Sequence, residues 1–193
     1  MSRIIPKNFF ITGPPKSGKS IMLMDIRRNL EERGIIISGI ICPEVVVNKS
    51  RWGFKIISIK TKKEGVLASI EIKSRYRVSK YGVNINDLEN IGVRTLEEAL
   101  VDESQVVIID EIGKMELMSR KFENAVQKLL DSKKIILGVV ALKYNHPLIL
   151  KIKTDRKDTK VYYIGRDTSQ KTKEMIKQDI IRRIVELLGK RYG

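Results

Sequence analysis

Residues 13–20 form the segment of this sequence with the clearest chemical meaning. They match the pattern G-x-x-x-x-G-K-[ST]. Their sequence is Gly13-Pro14-Pro15-Lys16-Ser17-Gly18-Lys19-Ser20. A short apolar run precedes them and a helical apolar pattern follows them, and a loop in this setting can wrap around a phosphate with its backbone N–H groups pointing inward. The segment therefore predicts a phosphate-binding loop, called the phosphate loop below.

The residue types within the phosphate loop predict separate roles. Pro14 and Pro15 carry no N–H, so the amides of residues 16–20 are the expected donors to phosphate oxygens. The Lys19 ammonium is expected on the β- and γ-phosphates of a nucleotide, and the Ser20 hydroxyl on Mg²⁺. The alternative is a glycine turn that opens a helix and carries a lysine by chance.

A second candidate segment is the apolar run 106–109, which ends in Asp110 and Glu111. In open α/β sheets, ligands bind at the carboxyl ends of the strands. We expect Asp110 to hold the Mg²⁺ and Glu111 to orient or deprotonate an attacking water. The alternative is a strand that ends in a solvated acidic turn. Lys114 follows closely and could reach the γ-phosphate, or it could pair with Glu116 at the start of a helix.

The elements that must position these segments alternate along the chain. A strand at 8–12, a helix at 20–33 and a strand at 35–41 form a βαβ unit, which predicts a parallel sheet. Short β-rich runs between residues 45 and 78 predict an antiparallel hairpin or meander inserted after the second strand. Further strands are predicted at 105–110, 134–141 and 161–164, and further helices at 95–101, 122–130, 146–152 and 176–188. Residues 1–193 are thus predicted to form a single α/β domain.

Composition excludes several protein classes. The chain has 193 residues, of which 42% are apolar and 32% charged, so it is too apolar for a disordered chain. Its one cysteine, Cys42, excludes an internal disulfide and fits a reducing compartment. A single histidine argues against a zinc site. The sequence shows no membrane-length apolar run and no secretory leader pattern, so we expect a cytoplasmic protein without a membrane partner.

Positive charge is concentrated in two segments. The chain carries 38 basic and 23 acidic residues, a net charge of +15. Residues 51–80 and residues 151–193 each carry an excess of seven positive charges. Such segments are typical of a nucleic-acid surface and equally of the solvated face of a thermophile protein. Few aromatic residues lie among the basic ones, so the sequence leaves both interpretations open.

The phosphate loop together with the string DEIGKMEL at 110–117 resembles the thermophile-type P-loop nucleoside-triphosphatases, to which the human cancer-related nucleoside-triphosphatase belongs. Residues 80–84 (KYGVN) resemble a further segment of that family. The resemblance implies a three-layer RecA-like α/β fold. It also implies Mg²⁺-dependent hydrolysis of ATP, GTP, CTP and UTP to diphosphate and phosphate with little base selectivity.

Two departures from the family pattern bear on the site. Lys16 and Ser17 stand where the family commonly has a glycine and a small apolar residue, and a positive φ at Lys16 would strain the lysine. Gly165-Arg166-Asp167 stands where the family often has Asn-Arg-Asp beside the base. Arg166 could still stack on the base, or it could be an ordinary surface arginine.

Two other functions remain open at this stage. One is a kinase that transfers the γ-phosphoryl group to a nucleotide, a nucleoside or RNA, and the other is a module that binds nucleic acid under the control of a bound nucleotide. The oligomeric state is not predicted.

Overall fold

Ten strands form one mixed sheet within residues 4–192, which the computed structural model describes. The strands are β1 (Asn8–Thr12), β2 (Ile37–Ile41), β3 (Glu44–Val47), β4 (Ser50–Ser58), β5 (Glu64–Ser69), β6 (Arg77–Val78), β7 (Tyr81–Val83), β8 (Val106–Ile112), β9 (Ile135–Val140) and β10 (Thr159–Tyr163). Residues 1–3 and 193, which the single-domain prediction also covers, lie outside the described residues.

Helices cover both faces of this sheet. They are α1 (Lys19–Glu32), α2 (Ile85–Asp87), α3 (Arg94–Ala99), α4 (Arg120–Asp131), α5 (Pro147–Leu150) and α6 (Gln170–Tyr192). Short π-helical segments over Leu88–Val93 and Lys151–Asp155 follow α2 and α5, and a 3₁₀ turn over Glu116–Met118 follows β8. No helix within residues 4–192 is both long enough and apolar enough to cross a membrane.

The strand order brings the two candidate segments to the same edge of the sheet. Five parallel strands lie in the order β10-β1-β9-β8-β2. β9 separates β1 from β8, and Gly138 of β9 pairs with Phe10 on one side and with Ile109 on the other. The phosphate loop follows β1 and the carboxylates lie near the end of β8, so the two segments face each other across one strand, about 10 Å apart.

The packing of the sheet explains why these strands read as continuous apolar runs. Phe9 and Ile11 of β1 face a cluster that contains α1 and α6, whereas Phe10 faces a cluster that contains α3 and α4. Buried residues of β8 alternate between the same two clusters. Both faces of the parallel strands are therefore covered by helices, which gives the predicted three layers.

The antiparallel insert is larger than a hairpin. It comprises β3 to β7, which continue the sheet beyond β2 in the order β4-β5-β7-β6, with β3 paired to β4. Asn48 and Lys49 form the two-residue turn between β3 and β4, both with positive φ, as this turn type requires. The sequence analysis did not predict β7, because a three-residue strand with a central glycine gives little alternation.

Candidate functional site

The phosphate loop is an open helix N-terminus. Gly18, with φ of +93°, turns the chain into α1, and its carbonyl accepts the first helical hydrogen bond from the Met22 N–H at 3.0 Å. Within the described part of the chain, no side chain caps this end of the helix. The first amides of α1 are therefore available to an anion, as the sequence predicts.

Two loop residues differ from the family pattern, and both have a structural consequence. Lys16 is exposed with φ of +64°, so the lysine occupies the left-handed conformation considered above, at a cost of about 1 kcal/mol. Ser17 is buried, and its hydroxyl has no hydrogen-bond partner among residues 4–192. The position accepts a side chain of this size, but the hydroxyl gains nothing there.

The phosphate loop packs closely against the end of β10. A Cβ atom added at Gly13 would lie 1.9 Å from the Ile164 carbonyl oxygen, so only glycine fits there. The Ile164 N–H donates to the Thr12 carbonyl at 2.9 Å. Beyond β10, the exposed Arg166 donates from Nε to the Pro15 carbonyl at 3.0 Å. The structure therefore places Arg166 on the phosphate loop, while its contact with a base remains a prediction.

Lys19 and Ser20 connect the loop to the carboxylates of β8. Lys19 Nζ donates to the Pro14 carbonyl at 2.8 Å, inside the loop itself. Burial lowers the pKa of Lys19, and the charges of Glu111 and Asp110 oppose this shift. The Ser20 hydroxyl donates to Asp110 Oδ1 at 3.4 Å. The two segments that the sequence predicts to form one site are therefore in contact.

Three carboxyl groups share a buried environment beside the loop. Burial raises the pKa of Asp110 to about 7, and the neighbouring charge of Glu111 adds to this effect. Burial also raises the pKa of Glu111. Glu116 is fully enclosed, so burial raises its pKa to about 8, and its Oε2 accepts the Gly113 N–H at 3.1 Å. Such a group of carboxyls favours bound cations and proton exchange.

The donor atoms of Ser20 and Asp110 fit Mg²⁺. Both are oxygens, the ligand type that this ion prefers. Mg²⁺ commonly takes only one or two carboxylates from the protein and completes its shell with water and substrate phosphates. The described residues accordingly contain no group of three or more His, Cys, Asp or Glu that could hold a metal ion by themselves.

Lys114 is an exposed residue of the turn after β8. It forms no ion pair with Glu116, whose carboxylate instead accepts a backbone N–H in the same turn. The structure thus does not support the alternative ion pair, and the role of Lys114 toward the γ-phosphate stays a prediction.

Lys173 is a candidate site residue that the sequence analysis missed. It lies in the first turn of α6, and its Nζ is 3.7 Å from the position that a Cβ atom would take at Gly18. Its ammonium therefore reaches the surface of the phosphate loop. Only the apolar stripe of α6 marked this helix in the sequence, so nothing there indicated a contact with the loop.

Comparison with known proteins identifies the family of this chain. The family model described as NTPase matches residues 8–181, which include the phosphate loop, the carboxylates and Lys173. The chain belongs to the NTPase family. Relatives named nucleoside-triphosphatase THEP1 include one from Methanothermobacter thermautotrophicus, 36% identical over 95% of this chain and 97% of its own length. The protein of that name from Sulfolobus acidocaldarius is 39% identical over 86% of this chain and 96% of its own length.

Two solved structures share the fold. THEP1 from Aquifex aeolicus superposes with a TM-score of 0.72 at 30% identity, over 90% of this chain and 96% of that one. A human cancer-related nucleoside triphosphatase gives 0.73 at 29% identity, over 94% and 96%. The predicted family and the predicted α/β fold with a mixed, mostly parallel sheet are confirmed.

Proposed function

We propose that this NTPase-family enzyme hydrolyses nucleoside triphosphates to diphosphate and phosphate with Mg²⁺, and with little selectivity for the base. The observation that carries the proposal is the contact between Ser20 of the phosphate loop and Asp110 of β8. It joins a phosphate-binding loop to a pair of carboxylates, which are the two parts that hydrolysis requires.

Binding a nucleotide requires one rearrangement in the loop. Lys19 donates to the Pro14 carbonyl, and its ammonium must leave this bond to contact the phosphates. The amides of residues 16–20 then hold the phosphate oxygens, and Lys173 adds a positive charge at the Gly18 side of the loop. Arg166 holds the loop from outside through the Pro15 carbonyl. These cations offset the charge of the triphosphate and of the adjacent carboxylates.

The chemical step is assigned to Glu111. A water oxygen forms a bond to the γ-phosphorus, the bond from that phosphorus to the bridging oxygen breaks, and the diphosphate leaves. The proton of the water passes to the Glu111 carboxylate, whose buried position favours the protonated form. Mg²⁺ held by Ser20 and Asp110 would neutralise charge on the phosphates.

We expect weak base selectivity because the groups that could contact a base do not distinguish one base from another. The string nearest to the guanine-reading pattern Asn-Lys-x-Asp is at 48–51, and it forms the turn between β3 and β4 and the start of β4. Arg166 beside the loop can stack on any base. We expect ATP, GTP, CTP and UTP to be hydrolysed with kcat/KM values within about tenfold of each other. A hundredfold preference for one base would contradict this expectation.

The variant Glu111→Gln tests the assignment of the base. A glutamine keeps the shape of the side chain but accepts a proton poorly, so we expect single-turnover hydrolysis to fall about 10²–10⁴-fold. Affinity for Mg²⁺-nucleotide should change by less than about tenfold. The matched control is Glu32→Gln, an exposed glutamate at the end of α1, which should behave as the wild type.

The outcomes of this experiment separate the alternatives. Hydrolysis near the wild-type rate would exclude Glu111 as the base and make Glu116 the next candidate. Loss of nucleotide binding would place Glu111 among the metal ligands. Using γ-labelled nucleotide in the presence of nucleosides or RNA also tests the kinase alternative, because a kinase would transfer the label to the acceptor instead of releasing phosphate.

A further inference from the structure

Both basic segments contain cations that are paired with carboxylates. In the C-terminal segment, Asp179 accepts hydrogen bonds from Lys160, Arg182 and Arg183. Further ion pairs join Arg156 to Asp158 and Lys177 to Glu174. Five cations described there are thus ion-paired within the fold, as in the ion-pair networks of thermophile proteins.

Four cations of the insert behave differently. Lys73, Arg75, Arg77 and Lys80 form no ion pair with any carboxylate in residues 4–192, and all four are exposed. We call them the cationic edge. Elsewhere in the insert, Arg51 forms an ion pair with Glu44. The lack of ion pairs therefore does not hold for every cation of the insert.

Local contacts hold three of the four side chains of the cationic edge in place. The Arg75 guanidinium donates to the Tyr76 hydroxyl at 2.8 Å and stacks 4.8 Å from the centre of that ring. Arg77 donates to the Lys80 carbonyl at 2.9 Å, and Lys80 Nζ lies 5.6 Å from the centre of the Tyr81 ring. The cations are thus partly ordered without being neutralised, which lowers the entropy cost of binding an anion.

The cationic edge lies at the outer end of the sheet, around β6. β6 is the last strand of the sheet, so its outer backbone groups are not paired with another strand. Exposed and half-buried residues alternate from 71 to 78, so Lys73, Arg75 and Arg77 lie on one side of the chain. Only Arg77 of these three lies in a strand, and the chain bends at 70–71 and 75–76, so the cations share one exposed side with Glu71 without forming a regular line.

We propose that the cationic edge binds the phosphate backbone of a single-stranded polynucleotide. A group of exposed, unpaired cations suits a flexible polyanion that can follow it, and the half-buried Tyr76 adds a ring next to which a base can stack. An anionic membrane is a poorer fit, because residues 71–80 contain no helix and so lack the amphipathic helix with which proteins lie on membranes. This inference is independent of the hydrolysis proposed above.

The salt dependence of binding measures how many of these cations take part. Four neutralised phosphates on a single strand predict a slope of about −2.8 for log K against log salt concentration. Affinity should then fall about fiftyfold between 50 and 200 mM KCl. The double variant Arg75→Gln/Arg77→Gln should halve the slope, so that affinity falls only about sevenfold over the same range.

The experiment uses the full chain and fluorescence anisotropy with labelled U12 RNA and dT12 DNA. The control is Arg182→Gln/Arg183→Gln, which removes the same charge from the ion-paired network around Asp179 and should keep the wild-type slope. Nucleotide hydrolysis by each variant verifies that it is folded. Equal binding of RNA and DNA indicates backbone contacts alone, whereas a preference for RNA adds contacts to the 2′-hydroxyl.

Three results would overturn the proposal. One is an unchanged slope in the Arg75/Arg77 variant. The second is an equal loss in the control variant, which would show that net charge alone drives binding. The third is absence of oligonucleotide binding together with edge-dependent binding to vesicles of phosphatidylserine and phosphatidylcholine, which would assign the edge to a membrane surface.

Discussion

Replacing Gly13 by alanine tests the packing that holds the phosphate loop. The added Cβ would lie 1.9 Å from the Ile164 carbonyl oxygen and 3.1 Å from the Ser17 hydroxyl oxygen. The first neighbour is backbone, so it cannot rotate away. To reach an allowed contact of at least about 3 Å, the ends of β1 and β10 must separate by about 1 Å, and overpacking of this kind typically costs about 1–3 kcal/mol.

The same movement strains a hydrogen bond. The Ile164 N–H donates to the Thr12 carbonyl at 2.9 Å, directly beside the added methyl group. Losing this bond costs about 1 kcal/mol, so the free energy of unfolding should fall by about 2–4 kcal/mol in total. Arg166 should also lose its position on the Pro15 carbonyl, and we expect hydrolysis to fall by about tenfold or more.

Two other glycines provide matched controls for this substitution. Gly189 is an exposed residue of α6, and within residues 4–192 no heavy atom outside its own helix lies within 4 Å of an added Cβ, so Gly189→Ala should stabilise the protein by about 0.5–1 kcal/mol. Gly34 follows α1 with φ of +77° and also has free space around an added Cβ, so Gly34→Ala should cost about 1 kcal/mol through backbone strain alone.

The experiment measures denaturant unfolding of the wild type and the three variants, and nucleotide hydrolysis on the same preparations. From the most to the least stable protein, we expect the order Gly189→Ala, wild type, Gly34→Ala, Gly13→Ala. A Gly13→Ala protein as stable as the Gly34→Ala protein would refute the close contact between the phosphate loop and β10, and with it the explanation of how Arg166 reaches the loop.

Three further predictions concern the charged groups. Lys19→Ala should lower kcat/KM by about 10²-fold or more while leaving the unfolding midpoint near that of the wild type, and near-normal turnover would mean that the loop is not the active site. Lys173→Met should weaken nucleotide affinity by about three- to tenfold in equilibrium binding, whereas Lys171→Met, at an exposed position of the same turn, should not. Although burial alone would raise the pKa of Asp179, hydrogen bonds from Arg183, Lys160 and other donors hold it well below its usual range. This carboxylate therefore stabilises the fold above pH of about 4 and loses its contribution as the pH falls further, so Asp179→Asn should flatten the acid side of the stability profile measured by denaturant unfolding.

The candidate site could be predicted from sequence to the extent that it depends on local features. The phosphate loop needs glycines at special backbone positions and a helix behind it, and both are visible in residues 13–33. Strand β8 reads as an apolar run because both of its faces are covered, and the carboxylates stand where that run ends. The strain at Lys16 was also predictable, because a lysine stands where the family commonly has a glycine.

The tertiary structure decided by which contacts distant residues meet. Ser20 contacts Asp110 because β9 lies between β1 and β8, and strand order is not encoded in the periodicity of any single strand. Lys173 reaches Gly18 because α6 packs beside α1 on one face of the sheet. Basic residues likewise look alike in the sequence, whether a carboxylate neutralises them, as at Arg183, or none does, as at Arg75. Hydrophobic patterns and glycines report on the backbone and burial of their own neighbourhood, whereas contacts between remote side chains depend on how separate elements pack, and this packing is decided by the whole chain at once.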